Sequence, residues 1–441
     1  MQRIKFGTDG VRGVANEGLT PEVALRLGLA AARLFGGPIV VGRDTRLSGG
    51  MLSDALAAGA ASGGASVLEL GVLPTPGVAA LAGKLGASAG AVVSASHNPY
   101  ADNGIKFLSG EGRKLAVDVE AELERLTGDD GTPRPTGGGV GAAEPVEEAV
   151  ALYAEHVLGR LNPRAEGLKV LLDCAHGAAY EVAPLAFSRT GAALSVVGNE
   201  PDGTNINEGV GSTSVEGLDV AGNDVAFAFD GDADRVLAVD EKGGVVDGDR
   251  ILAILARDLQ ERGALEGGVV VTVMSNLGFF KAMDGFGIPY EVTPVGDRYV
   301  AEAMWRLGAS VGGEQSGHVI LSEYATTGDG LVTALALLDV MARSGKPLSE
   351  LAGIMERYPQ SLINVRVGGS APDVAGSGVV KEAVVAAERR LGSEGRILLR
   401  PSGTEPLVRV MVEHEDAAVC REVSEEVAAV VAANASGAKG V

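Results

Sequence analysis

Short apolar runs bounded by glycine or charge alternate along most of the chain with Ala- and Leu-rich stretches of helical spacing. The runs predict strands at Pro38–Val41, Ser66–Leu70, Gly90–Val93, Lys169–Leu172, Val225–Phe229, Val269–Val273 and Ser310–Gly312. Helices are expected at Pro21–Leu34, Gly50–Ser62, Tyr180–Thr190, Arg250–Glu261 and Gly328–Ala342, the first opening on Thr20 as N-cap with proline behind it. Strands alternating with helices imply βαβ units and mostly parallel sheets, whose ligands gather beyond the carboxyl ends of the strands. From Ile363 the pattern changes. Strands at Ile363–Val367, Ile397–Leu399 and Leu407–Glu413 and helices at Val379–Leu391 and Ala417–Ala433 suggest a small α+β domain with an antiparallel sheet. The Gly-, Pro- and Thr-rich segment Thr127–Glu144 reads as the exit from a first domain, partly a linker, and the tail from Asn434 as frayed. The fold class is α/β with a smaller C-terminal α+β domain.

Bulk composition narrows the function. The 441 residues leave room for roughly three domains by length alone, and 46% apolar with 22% charged residues is ordinary globular composition. A formal net charge of −21 argues against non-specific nucleic-acid or anionic-membrane binding. A phosphorylated ligand would therefore need a local cluster of cations and amides. Two cysteines, Cys174 and Cys420, make no disulfide framework, and the chain opens without an apolar signal region or any stretch of ~18 apolar residues. The expectation is a soluble cytoplasmic protein.

Chemistry concentrates just past the strands. Val225–Phe229 runs into Asp230-Gly231-Asp232-Ala233-Asp234-Arg235. Three carboxylates at alternate positions repel one another unless a cation sits among them, and hard oxygen ligands suit Mg²⁺ or Ca²⁺. An EF-hand loop fails because Arg235 stands at its sixth position, where glycine is needed, and because strands flank it. Gly90–Val93 runs into Ser94-Ala95-Ser96-His97-Asn98-Pro99, a nucleophile-like loop whose Asn98 is kept extended by Pro99. No G-x-S-x-G elbow surrounds Ser96 and no acid adjoins His97, which disfavours an acyl-transfer triad. Lys106, past a turn glycine, could point back to that loop, with desolvation or nearby cations lowering its pKa toward an acid/base role. Phe6–Gly13, with Arg12 among three glycines, and Gly42-Arg43-Asp44-Thr45-Arg46 can present guanidinium and amides to an anion. Gly312–His318 offers Glu314 and Ser316 to sugar hydroxyls, and Arg400–Pro406 with Arg409 forms a phosphate cradle that is not a Walker loop.

The ordered motifs F-G-T-D-G-V-R-G, S-A-S-H-N-P, D-G-D-A-D-R, G-E-Q-S-G-H and R-P-S-G-T-E-P closely resemble those of the α-D-phosphohexomutase superfamily, with wording most like its phosphoglucosamine mutase branch. The resemblance spans Phe6 to Arg409. It implies three α/β domains with mixed, mostly parallel sheets and a smaller fourth domain around a central cleft, here divided 1–145, 146–249, 250–362 and 363–441. It implies that Ser96 carries a phosphoryl group, and that Asp230, Asp232 and Asp234 hold one Mg²⁺ together with a phosphoserine oxygen. Arg12, His97, Lys106 and Arg235 match residues lining the reaction centre. Glu314 and Ser316 match the sugar contacts, and Arg400, Ser402, Gly403, Thr404 and Arg409 match the grip on the non-reacting phosphate. Gln315 stands where phosphomannomutase/phosphoglucomutase members tend to have Met, which favours an amino-sugar substrate over the alternative of glucose or mannose phosphates.

The resemblance further implies a hexosamine phosphate substrate, interconversion of glucosamine 6-phosphate and 1-phosphate, glucosamine 1,6-bisphosphate as intermediate and activator, and a homodimer. Two rival readings have clear discriminators. A phosphatase would release free phosphate, whereas a closing cleft excludes water. A silent sugar-phosphate sensor would have lost Ser96 or an aspartate, and all four are present.

Overall fold

A computed structural model describes residues 6–7, 9–129, 131, 133–220, 222–402 and 405–435. Four sheets form among them. The first holds strands β1 (Val11–Val14), β2 (Ile39–Arg43), β3 (Val67–Val72), β4 (Ala89–Val93), β5 (Asp102–Ser109) and β6 (Ala143–Pro145), in the order β1-β5-β4-β2-β3-β6. The second holds β7 (Lys169–Asp173), β8 (Ala193–Val197), β9 (Val225–Phe229), β10 (Val236–Asp240) and β11 (Val245–Val246), in the order β11-β10-β9-β7-β8. The third holds β12 (Val269–Thr272), β13 (Tyr290–Thr293), β14 (Val311–Gly313) and β15 (Val319–Leu321), in the order β13-β12-β14-β15. In each, a parallel core carries one antiparallel flank: β5 with β1, β10 with β11, and β15. The fourth sheet, β16 (Gln360–Arg366), β17 (Gly395–Pro401) and β18 (Leu407–His414), is antiparallel throughout. The α/β class with a smaller α+β domain is what the sequence pattern implied.

Two compact units divide the chain. One comprises residues 1–274 and 286–354, with the first three sheets; the other comprises 275–285 and 355–441, with the fourth. In the second unit a buried Glu413 accepts from Arg396 Nε at 2.7 Å, Leu277 N at 2.8 Å and Gln360 Nε2 at 2.9 Å, which ties the first turn of helix Leu277–Phe286 to β18.

Local chemistry explains the elements that carry the chemistry. Val225–Phe229 is buried at all five positions, as expected of a strand flanked on both sides and covered on both faces. Helices Pro21–Phe35 and Leu47–Ser62 touch backbone to backbone, because a Cβ on Gly28 would lie 1.9 Å from Leu56 O and one on Gly59 1.9 Å from Leu25 O. Thr20 does stand at the N-cap, but its side chain makes no capping bond; it pairs with the Glu22 carboxylate instead. The expected linker corrects in part: Ala143–Pro145 returns to pair with β3 as a short edge strand, a role three exposed residues including proline give no pattern for. No helix among the described residues is long and apolar enough to cross a membrane.

Candidate active site

Strand ends converge at one place in the first unit. β9 delivers Asp230, Asp232 and Asp234, β4 delivers the loop with Ser96, and β5, whose Lys106 lies opposite Val92, brings that lysine alongside. β1 contributes Arg12, and the β14–β15 turn contributes Glu314 and His318. A cavity of about 270 Å³ is lined by Arg12, Ser96, Lys106, Asp234, Arg235 and Glu314, with His318, Thr75 and Asp297 also on its wall. His97 lies on the open side of the same loop, and Ser316 is exposed beyond Glu314 without reaching the cavity wall. Arg400, Ser402 and Arg409 belong to the other unit, where Arg400 and Arg409 pair across β17 and β18 and Arg409 lies 3.8 Å from Glu405. Gly403 and Thr404 lie outside the described residues.

The three aspartates have oxygens within 4.8 Å of one another, and all three are buried. Ser96 donates its hydroxyl to Asp230 Oδ2 at 2.7 Å. Asp232 Oδ2 accepts from Thr75 Oγ1 at 2.6 Å and Lys106 Nζ at 2.7 Å, with Lys106 3.8 Å from Asp234. Burial, then Asp234 and Asp232, push the Asp230 carboxyl well above its ordinary range. Burial would also raise Asp232, but the Lys106 charge and the bonds from Lys106 and Thr75 outweigh it and hold this carboxyl low. Oδ1 of Asp232 and Oδ1 of Asp234 are buried without a hydrogen-bond partner. Such stranded carboxylate oxygens, converging with a third carboxylate and a serine hydroxyl, fit a hard divalent cation.

Lys106 departs from expectation. Burial lowers its pKa, but Asp232 and Asp234 more than offset this and raise it, so the lysine keeps its proton as a fixed cation. Sequence spacing could not show that both carboxylates face it. Burial, then the Arg235 and Arg12 guanidiniums, hold His97 below its usual value, which favours the neutral imidazole, and its Nδ1 lies 3.4 Å from Ser96 Oγ and 3.4 Å from Arg235 Nη1. Burial would lower His318 too, but Asp234, 3.6 Å away, raises it to about 9.

A second correction concerns the Gly42–Arg46 turn. Arg46 offers nothing to an external anion: it is 1% exposed and bonded to Asp44 and to backbone carbonyls of the serine loop. A buried residue cannot be told from a surface one by a two-arginine spacing. Sequence reasoning also missed Thr75, whose L-P-T-P context carries no chemical signal. It missed Lys114 as well, which bridges Asp9 at 3.0 Å and Asp297 at 2.7 Å on the cavity wall. His318 has no role assigned by its motif, and its partner Asp234 lies 84 positions away in sequence, so no local pattern marks it.

Comparison with known proteins agrees with this architecture. Residues 3–133, 151–244, 247–358 and 362–430 match, in order, the phosphoglucomutase/phosphomannomutase alpha/beta/alpha domains I, II and III and the C-terminal domain. The chain is 70% identical over 438 residues to a phosphoglucosamine mutase of Rubrobacter xylanophilus, covering 99% of both. It is 54% identical to a phosphoglucosamine mutase of Moorella thermoacetica over 98% of this chain. Among solved structures, a phosphoglucomutase/phosphomannomutase family protein of Burkholderia thailandensis superposes with a TM-score of 0.83 at 26% identity, covering 100% of this chain and 99% of that one. An N-acetylphosphoglucosamine mutase of Aspergillus fumigatus, solved with GlcNAc-6P and magnesium, shares the fold with a TM-score of 0.71 at 18% identity over 99% of this chain and 96% of that one. From motif order, sheet architecture and near-complete sequence coverage together, the chain belongs to the α-D-phosphohexomutase superfamily, within the phosphoglucosamine mutase family.

Proposed function

We propose that this enzyme interconverts glucosamine 6-phosphate and glucosamine 1-phosphate, with Ser96 as the phosphoryl carrier and glucosamine 1,6-bisphosphate as intermediate and activator. The observation that carries the reading is the Ser96 hydroxyl set 2.7 Å from Asp230, within a buried triad of carboxylates flanked by Lys106 and Arg235. Asp230, Asp232 and Asp234, with an oxygen on Ser96, would hold one Mg²⁺. Bound there, the ion would neutralise charge on the transferring phosphoryl group.

The chain's own residues do the rest by position and charge. In the forward half-reaction the bond from phosphorus to Ser96 Oγ breaks as a bond to the sugar hydroxyl oxygen forms, and the hydroxyl proton leaves while Ser96 Oγ regains one. Neutral His97, 3.4 Å from that oxygen, is suited to move this proton. Lys106 and Arg235 keep their charge because carboxylates surround them, and act as fixed cations toward the phosphoryl oxygens. Arg12 on the cavity wall adds a third guanidinium or ammonium, and Glu314, accepting from Gly296 N at 3.2 Å, is placed to take sugar hydroxyls. Ser316 beside it, and Arg400, Ser402, Gly403, Thr404 and Arg409 as the grip on the distal phosphate, complete the assignment. Return of the second phosphoryl group to Ser96 requires the bisphosphate to turn over, so one grip must serve both phosphates.

The proposal includes the four-domain division 1–145, 146–249, 250–362 and 363–441, supported by four sheets and four matched family segments. A cytoplasmic homodimer, as the family resemblance implies, completes it, and the charge of −21 supports the absence of a nucleic-acid or anionic-membrane partner. The test is peptide mass spectrometry after incubation with glucosamine 1,6-bisphosphate and Mg²⁺, followed by chase with glucosamine 6-phosphate. Phosphate on Ser96 that transfers to sugar supports the reading. An unlabelled Ser96, or release of inorganic phosphate in place of isomerised sugar, refutes it.

A further inference from the structure

Ser96 has φ of +53°, in the left-handed region that a residue with a Cβ seldom occupies. Such a conformation persists only where its surroundings over-determine it. Two side chains from separate elements do so. Arg46 Nη2 donates to Ser96 O and to Asn98 O, each at 2.8 Å, and Arg46 Nη1 donates to Asp102 O at 2.9 Å and to Pro99 O. Its Nε donates to Asp44 Oδ2 at 2.8 Å, so all five N–H groups of the guanidinium are engaged. Asp44 Oδ2 also takes the Ser94 hydroxyl at 2.6 Å, and Ser94 Oγ accepts from Ser96 N at 2.9 Å. From the β8–β9 connection, Asn207 Nδ2 reaches the same two carbonyls, at 3.0 Å from Ser96 O and 3.3 Å from Asn98 O. Asn207 is itself at φ +60°, anchored by its N–H on Ala175 O at 2.9 Å and by Gly211 N on Asp173 Oδ2 at 2.6 Å.

We propose that Arg46 and Asn207 are positioning residues that hold Ser96 in its reactive backbone conformation, the second sheet's connection thereby setting the nucleophile of the first sheet. This rests on the reading of Ser96 as phosphoryl carrier. Neither residue lines the cavity, so the effect expected of them is on Ser96 rather than on contacts with substrate. They act by pinning the carbonyls on either side of His97, which fixes the direction of the Ser96 Cα–Cβ bond and aims Oγ at Asp230. Lysine cannot replace Arg46, since three donors on a point charge do not span five acceptors in a plane. Asn207 combines tolerance of positive φ with an amide donor, which only asparagine supplies at that length.

The test uses the full-length protein and three variants. Asn207→Gly keeps positive φ free of strain and deletes the donor, Asn207→Asp keeps size and backbone while replacing the donor, and Arg46→Lys keeps the charge. Three quantities are read: kcat and KM by ³¹P NMR of hexosamine phosphates, and hydrogen–deuterium exchange of the peptide spanning residues 94–103 without substrate. Expected for both Asn207 variants is a fall in kcat on the order of 10- to 100-fold from misplacement of the nucleophile. KM should stay near wild type and loop exchange should rise, with a larger change of both kinds in Arg46→Lys. Wild-type kcat in Asn207→Gly, or a lowered kcat with unchanged loop exchange, overturns the proposal. Exchange needs no turnover, so a wild type without isomerase activity would overturn the functional reading while loop exchange still decides the positioning.

Discussion

Replacing Asp232 by Asn separates the cation-binding role from a structural one. The substitution keeps an oxygen to accept from Thr75, now at 2.6 Å, and removes the negative charge that meets Lys106 at 2.7 Å. Losing a buried charge-assisted bond costs about 1.5–3 kcal/mol. Against this stands some relief of repulsion, since Asp232 is, after burial and Asp234, one of the causes that push Asp230 upward. The net change in fold stability should therefore stay within about 2 kcal/mol, a shift of a few degrees in Tm for domains of this size. Phosphoryl transfer, by contrast, loses one of three carboxylate ligands, and a fall of about 10³ in kcat, or ~4 kcal/mol, is expected. The assay pairs ³¹P NMR of isomerisation with calorimetry at rising Mg²⁺. At about 100 times its dissociation constant the ion stabilises the wild type by ~2.7 kcal/mol, and the variant should gain far less. Activity that falls only in step with the folded fraction, or an undiminished Mg²⁺ stabilisation, refutes the metal assignment.

Three further outcomes follow from the same geometry. Ser96→Ala should abolish bisphosphate-dependent labelling of the chain yet move Tm by only a few degrees, because one hydrogen bond to an already perturbed Asp230 is lost; labelling elsewhere at full yield would dismiss Ser96 as carrier. Burial raises Asp329, which accepts from Tyr153 Oη at 2.7 Å and caps helix Gly330–Ser344, from 3.8 to about 6. Its contribution is present below the unfolded value and lost as pH rises through about 6, on the order of 3 kcal/mol. Asp329→Asn keeps the cap without titrating, so its unfolding free energy should gain on the wild type between about pH 4 and 7, and parallel denaturant-derived curves would contradict this. Glu413→Ala leaves Arg396, Gln360 and the Leu277 amide without their common acceptor in a buried site and should cost about 3–5 kcal/mol in the unit holding β16 to β18. An unchanged calorimetric transition would show that these partners find other acceptors.

Sequence alone determined the α/β class, because continuous apolar runs and period-3.6 patterns are local: the strand expected at Val225–Phe229 and the helix expected at Ala417–Ala433 coincide with the observed elements. It also exposed the strand-end positions of Ser96 and the three aspartates, since chemistry-bearing residues after an apolar run form a one-dimensional pattern. Elements with weak local signal escaped it. Asp102–Ser109 opens on Asp-Asn-Gly and reads as a turn, yet forms a strand because β4 and β1 pair with both its edges. Helix Thr75–Lys84 hides behind Pro74 and Pro76. What only the tertiary structure decided was which charges meet. Lys106 became a fixed cation because Asp232, 126 residues away, lies 2.7 Å from it. Arg46 became an internal clamp because the serine loop folds over it and its five donors face carbonyls and Asp44. Electrostatic character depends on burial and on partners within a few ångströms, and neither is a property of neighbours in sequence.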